Sequence, residues 1–288
     1  MCKCLLVFVV FCFNLTQQAF AAPTSGNPIP YAVFAEILKT DDVGKLEELI
    51  AQGYDCNKPL KKGDETAPED KDLKAWPITE AARANSYPLV KCLLAHDVDA
   101  NAENDAHVAI SLRPITYAAH YYNVTMFKLL VENGVQLSWP DQYADGLFDG
   151  CLCDIIYNKD SELLKFALEH GAHPNASNCG GDICMHPMAM AADQNNLQTL
   201  KLLVRYGGDV NYQDPYGTST LLVAIKNGNL EIVQFILANG GDPNKYGNNG
   251  KGIDTKMPLA YAKELGNNAI IAELLKYDAK EERVDTKP

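Results

Sequence analysis

One pattern recurs along this chain and limits what it can fold into. Leu49-Ile50 leads to Gly53, Leu93-Leu94 to Asp97, Leu129-Leu130 to Gly134, Leu168 to Gly171, Leu203-Val204 to Gly207, and Ile236-Leu237 to Gly240. Most of these markers are followed by an acid or an asparagine, as in Asp55-Cys56-Asn57 and Asp209-Val210-Asn211. Successive markers at 53, 97, 134, 171, 207 and 240 lie 44, 37, 37, 36 and 33 residues apart. A degenerate seventh unit closes at Leu274-Leu275-Lys276-Tyr277-Asp278.

A second signature precedes most markers: Trp76-Pro77-Ile78-Thr79-Glu80-Ala81-Ala82, Arg113-Pro114-Ile115-Thr116-Tyr117-Ala118-Ala119, His186-Pro187-Met188-Ala189-Met190-Ala191-Ala192, Ser219 to Ile225, and Met257 to Ala262. Proline suits the first position of a helix, where its missing N–H has no partner to lose. The small alanine pair lets that helix pack closely. An apolar second helix such as Leu230 to Leu237 follows, and the glycine ends it in a left-handed cap. No such unit can bury its apolar face alone, so neighbours must stack and the ends must be capped.

The two linked signatures resemble those of the ankyrin repeat. The resemblance implies an all-α solenoid of about six to seven helix-turn-helix units with hairpin-loop tips, spanning residues 31–280. Cys151 and Cys153 depart from the pattern by holding the Pro and His places of the fourth unit, and Asp97 departs by replacing glycine. The 44-residue first interval implies an enlarged loop at Lys58 to Lys74. The first unit near Tyr31 and the last, with its polar tail at 281–288, read as caps.

Ahead of the repeats, residues 1–21 read as a secretory signal: Lys3, an apolar run from Cys4 to Phe13, and Ala19-Phe20-Ala21 as cleavage site. A bilayer span needs roughly twenty apolar residues, so this run predicts export rather than a membrane anchor. Residues 22–30 read as a linker. Cleavage leaves Cys56, Cys92, Cys151, Cys153, Cys179 and Cys184, an even set bound for an oxidising space, and disulfides are expected. Stacking of the repeats makes a Cys56–Cys92 staple the expectation, with the other four paired around unit four. Zinc held by those four and His186 is the alternative, but C-x-C with C-x4-C is not a standard zinc spacing, and no metal is expected.

Lys and Arg total 25 against 37 Asp and Glu, a net charge of −12 that suits neither nucleic acid nor an anionic membrane. A basic protein partner fits better. No phosphate loop, H-E-x-x-H or G-x-S-x-G pattern occurs, so neither catalytic residues nor a cofactor are expected. His170 and His173 flank a helix-ending glycine, where a partly positive ring suits the helix terminus. The sequons at Asn123 and Asn175 carry no weight without a host.

By the same resemblance, residues after each Ala-Ala slot face a concave surface: Arg83, His120, Tyr121, Tyr157, Asn158, Asp193, Gln194, Lys226, Asn227, Lys263 and Glu264. The tips add Trp139, Tyr143, Phe148, Tyr212, Tyr216 and Tyr246. Exposed aromatics supply large contact area at low rotamer cost. The expected function is therefore binding of another protein by a monomer outside the cytoplasm, in a bacterial periplasm or secreted. It could inhibit or protect an enzyme there, as an immunity-type or catalase-associated protein. A secreted effector engaging host proteins, or a metal-binding protein or enzyme on this scaffold, are the alternatives.

Overall fold

The computed structural model describes residues 26–61, 75–102, 113–138, 151–175, 185–214, 216–249 and 256–282. They form seven helix pairs: α1 (Tyr31–Thr40) with α2 (Val43–Ala51), α3 (Pro77–Arg83) with α4 (Tyr87–Ala95), α5 (Pro114–His120) with α6 (Val124–Glu132), α7 (Cys151–Tyr157) with α8 (Ser161–Glu169), α9 (Pro187–Asp193) with α10 (Leu197–Arg205), α11 (Thr220–Lys226) with α12 (Leu230–Ala238), and α13 (Pro258–Glu264) with α14 (Asn268–Lys276).

Helices this short do not persist alone in water, so caps and stacking must hold them. Every second helix has a side-chain N-cap: Asp42, Ser86, Asn123, Asp160, Asn196, Asn229 and Asn267 each accept from the backbone N–H three residues on. Each also ends at a residue with positive φ, including Asp97 at 56° and Asp278 at 59° where glycine is lacking. Asn123 is committed twice, because its Nδ2 donates to Asn85 Oδ1 at 2.8 Å while its Oδ1 caps α6. The first sequon is thus built into a cap.

Buried apolar side chains repeat from unit to unit. Ile78, Ala81 and Ala82 on α3 recur as Ile115, Ala118 and Ala119 on α5, and as Met188, Ala191 and Ala192 on α9, all within one continuous core. Burying an aliphatic side chain of this size contributes about 1.5–3 kcal/mol. The alanines bring first helices into closer contact with one another than second helices achieve. The stack therefore bends towards the first helices and makes that side concave.

The other edge is laced by asparagines. Asn57 Nδ2 donates to Asp97 O at 3.0 Å while its Oδ1 accepts from Asp99 N at 2.7 Å. Asn101 repeats this onto Gly134 and Gln136, Asn211 onto Gly240 and Asp242, and Asn244 onto Asp278 and Lys280. Asn175 accepts from Asp209 N at 2.9 Å. In unit three the equivalent residue is Ser138, which makes no such bridge among the described residues.

Residues 26–30, read as part of a linker, are built into the first unit. β1 (Asn27–Pro28) pairs parallel with β2 (Tyr54–Asp55), and Ile29 is fully buried. The enlarged loop falls largely on residues 62–74, outside the described set; its near edge is tied by Leu60 N donating to Ala75 O at 2.7 Å.

Candidate partner-binding face

The last residues of the first helices, from α3 to α13, are Arg83, His120, Tyr157, Asp193, Lys226 and Glu264. One turn earlier stand Glu80, Tyr117, Asp154, Met190, Val223 and Tyr261. The first row, with the residue that follows each helix and the accessible members of the second row, Tyr117, Asp154 and Met190, lines the concave side; Glu80, Val223 and Tyr261 are buried beneath it. The sequence reading found the first row, but not Tyr117 or Asp154 in the second; their spacing of three from His120 and Tyr157 was the available signal.

The face divides into two halves. In units three and four it is aromatic: Tyr157 is 72% exposed and Tyr121 is 44% exposed. Tyr121 stacks on Tyr117 with centroids 6.4 Å apart and meets His120 edge-on at 5.3 Å. Glu80 is buried and receives Arg83 Nε at 3.1 Å. Burial raises the pKa of Asp154, with His120 pulling weakly the other way. From unit five onward, charged residues are paired with one another, once between units and twice within the last unit and its tail. Lys226 Nζ lies 2.9 Å from Asp193 Oδ1, Lys256 lies 2.6 Å from Glu264, and Lys263 pairs with Glu281. Asp193 and Lys226, both expected to meet a partner, thus hold each other.

At the tips, Tyr216 and Tyr246 are 65% and 47% exposed. Tyr212 is half-buried, its ring edge-on to His186 at 5.0 Å, so it covers the neighbouring hairpin. Trp139, Tyr143 and Phe148 lie outside the described residues. His186 is fully buried; its Nδ1 accepts from Ala189 N at 3.4 Å and its Nε2 donates to Thr218 O at 3.2 Å. Burial lowers its pKa to about 4, against the opposing pull of Asp214 and Asp209. His170 Nδ1 meets Phe166 O at 2.8 Å at the end of α8, and His173 Nδ1 accepts from Asn175 N in the place other units give to aspartate.

Cys56 and Cys92 are buried free thiols, so the expected Cys56–Cys92 staple is not formed in this structure; Cys151 and Cys153 are buried on α7. Cys153 Sγ instead donates to Met185 O at 3.3 Å. Cys179 and Cys184 lie outside the described residues. Among the described residues, no three His, Cys, Asp or Glu side chains are grouped to hold a metal ion, and no helix is long and apolar enough to cross a membrane.

Stacked helix pairs with a small-residue seam and capped tips define a helical repeat solenoid. A family model for three copies of the ankyrin repeat matches residues 152–247. The solved ankyrin repeat domain of Bcl-3 superposes with a TM-score of 0.56 at 17% identity, covering 85% of this chain and 97% of that one. An ankyrin repeat domain from Acinetobacter baumannii gives 0.54 at 24% identity, covering 71% and 98%. Putative ankyrin repeat protein L271 of Acanthamoeba polyphaga mimivirus is 32% identical over 237 residues, 82% of this chain. An L-asparaginase of Dirofilaria immitis is 28% identical over 183 residues, 62% of this chain. The chain spans 27% of the length of each of these two relatives. Residues 152–247 are ankyrin repeats and the chain has the ankyrin-repeat fold, whose repeats serve as protein–protein interaction modules.

Proposed function

We propose that this protein binds one partner protein through its concave face, with the tips contributing, and that it does so outside the cytoplasm. One observation carries the reading: the exposed aromatics of the concave side, Tyr121 and Tyr157, stand on successive units of the stack. Preformed aromatic anchors reduce the ordering cost of association and are the usual centres of interface energy. The net charge of −12 favours a basic partner. The apolar run from Cys4 to Phe13 with Ala19-Phe20-Ala21 supports export. A binder of this kind would inhibit or shield an extracytoplasmic enzyme.

Affinity capture with the full chain tests the binding role. Tyr121→Ala with Tyr157→Ala should lose the principal partner, whereas Tyr277→Ala, at the far end of the stack, should keep it. Unchanged capture by the double variant overturns the concave-face assignment. Amino-terminal sequencing of protein recovered from outside the cytoplasm should begin at Ala22.

A further inference from the structure

Between α5 and α7 the concave face offers more than apolar area. Asp154 lies three residues before Tyr157 on α7, and Tyr117 and His120 hold the matching places on α5. The other carboxylates of this row and the next are paired, Glu80 with Arg83 and Asp193 with Lys226. The partly buried carboxylate of Asp154 accepts no hydrogen bond among the described residues, and the basic side chain that acts on it is His120 at the end of α5. Tyr117 and Tyr121, stacked at 6.4 Å, stand on one side of it in the stack, and Tyr157 stands on its own helix.

A carboxylate drawn out of water without a partner costs free energy, and a cation that docks against it recovers that cost. Tyrosine faces attract the same cation through the ring quadrupole. We propose that the Tyr117–Tyr121–Asp154–Tyr157 site receives an arginine or lysine side chain of the partner protein, a reading that rests on the concave-face function above. Arginine suits it best, because its planar guanidinium stacks on a ring while donating two hydrogen bonds to one carboxylate. An acidic or purely apolar segment leaves Asp154 covered and unpaired. The overall negative charge steers a basic segment towards the face.

The probes are N-acetyl-arginine methylamide and its uncharged citrulline counterpart, titrated into the full chain while the tyrosine ring resonances are followed by NMR. The arginine amide should shift the rings of Tyr117, Tyr121 and Tyr157 saturably, with affinity about fivefold above that of citrulline. Asp154→Asn should abolish that preference and Asp154→Glu should restore most of it, with circular dichroism confirming that both fold. Equal affinity for the two amides, or an unchanged preference in Asp154→Asn, overturns the cation site. Capture of the natural partner separates the two levels. Loss in the Tyr121→Ala, Tyr157→Ala double variant with retention in Asp154→Asn removes the cation site and leaves the concave-face reading standing; retention in all variants removes both.

Discussion

The phenolic Oη of Tyr122 donates to Oδ2 of Asp160 at 2.8 Å, joining unit three to unit four across 38 residues of chain. Tyr122 holds φ at 51°, a left-handed conformation uncommon for a bulky side chain, and the bond helps to hold it there. The other oxygen of Asp160 caps α8 by accepting from Leu163 N at 2.9 Å. Burial opposes ionisation of Asp160, but the Leu163 amide and the Tyr122 hydroxyl outweigh it and hold the carboxyl below its ordinary pKa of 3.8. A carboxylate with a depressed folded pKa contributes stability above the unfolded value, and that contribution is lost as pH falls through the folded value. Asp160→Ala should cost about 1 kcal/mol at neutral pH. Urea unfolding at stepped pH should show the gap between parent and variant narrowing below 3.8.

The asparagine bridges give a second prediction with two signs. Asn211→Ala leaves Gly240 O and Asp242 N without their partner, and should destabilise by about 1–3 kcal/mol. Ser138→Asn supplies the missing rung between units three and four, facing Gly171 O and His173 N, and should gain about 1 kcal/mol. Thermal and urea unfolding of the two variants would read both; a Ser138→Asn variant no more stable than the parent would show that the rung does not reach.

His186 sets a different pH window. Its folded pKa of about 4 lies below the ordinary 6.5, so the unfolded chain binds a proton that the folded one refuses. Its contribution is fully present above 6.5 and falls away as pH drops towards 4, by on the order of 3 kcal/mol in all. His186→Gln should flatten the stability profile across that interval. A profile as steep as the parent's would assign the slope to other groups.

The thiols offer a chemical readout. Burial, then Asp55 and Cys92, push the Cys56 thiol up to about 12, and burial also raises Cys92. In the reduced folded protein, iodoacetamide at mildly alkaline pH should therefore label Cys56 at least about a hundredfold more slowly than in urea. Equal labelling rates in the folded protein and in urea would show that burial does not shield this thiol.

Much of the fold was legible because the repeat wrote each physical requirement several times. Gly53, Gly134, Gly171, Gly207 and Gly240 were placed as left-handed caps, and each has positive φ. Asp97 was read as a departure, yet it adopts the same conformation, since aspartate tolerates it better than most residues. Ile29 was hidden because its burial depends on a strand pairing with Tyr54–Asp55 that no local pattern announces. Tyr212 and Asp193 looked like free contact residues, but His186 needs a cover and Lys226 stands 33 positions after Asp193, in register across the stack. Surface partners of this kind come from the stacking of units, which a reading one segment at a time does not display.

Ser138 also decides how the molecule yields under load. Other steps of the stack that carry an asparagine rung are sewn along the tip edge, whereas among the described residues the step from unit three to unit four is joined by α5 against α7, by Tyr122 with Asp160 and by Lys128 over the Phe166 ring. Pulled from its two ends, the chain should part there first, into blocks of three and four units. A partner gripping Tyr121 on one block and Tyr157 on the other splints that seam, so its binding registers as a rise in the force at which the blocks separate.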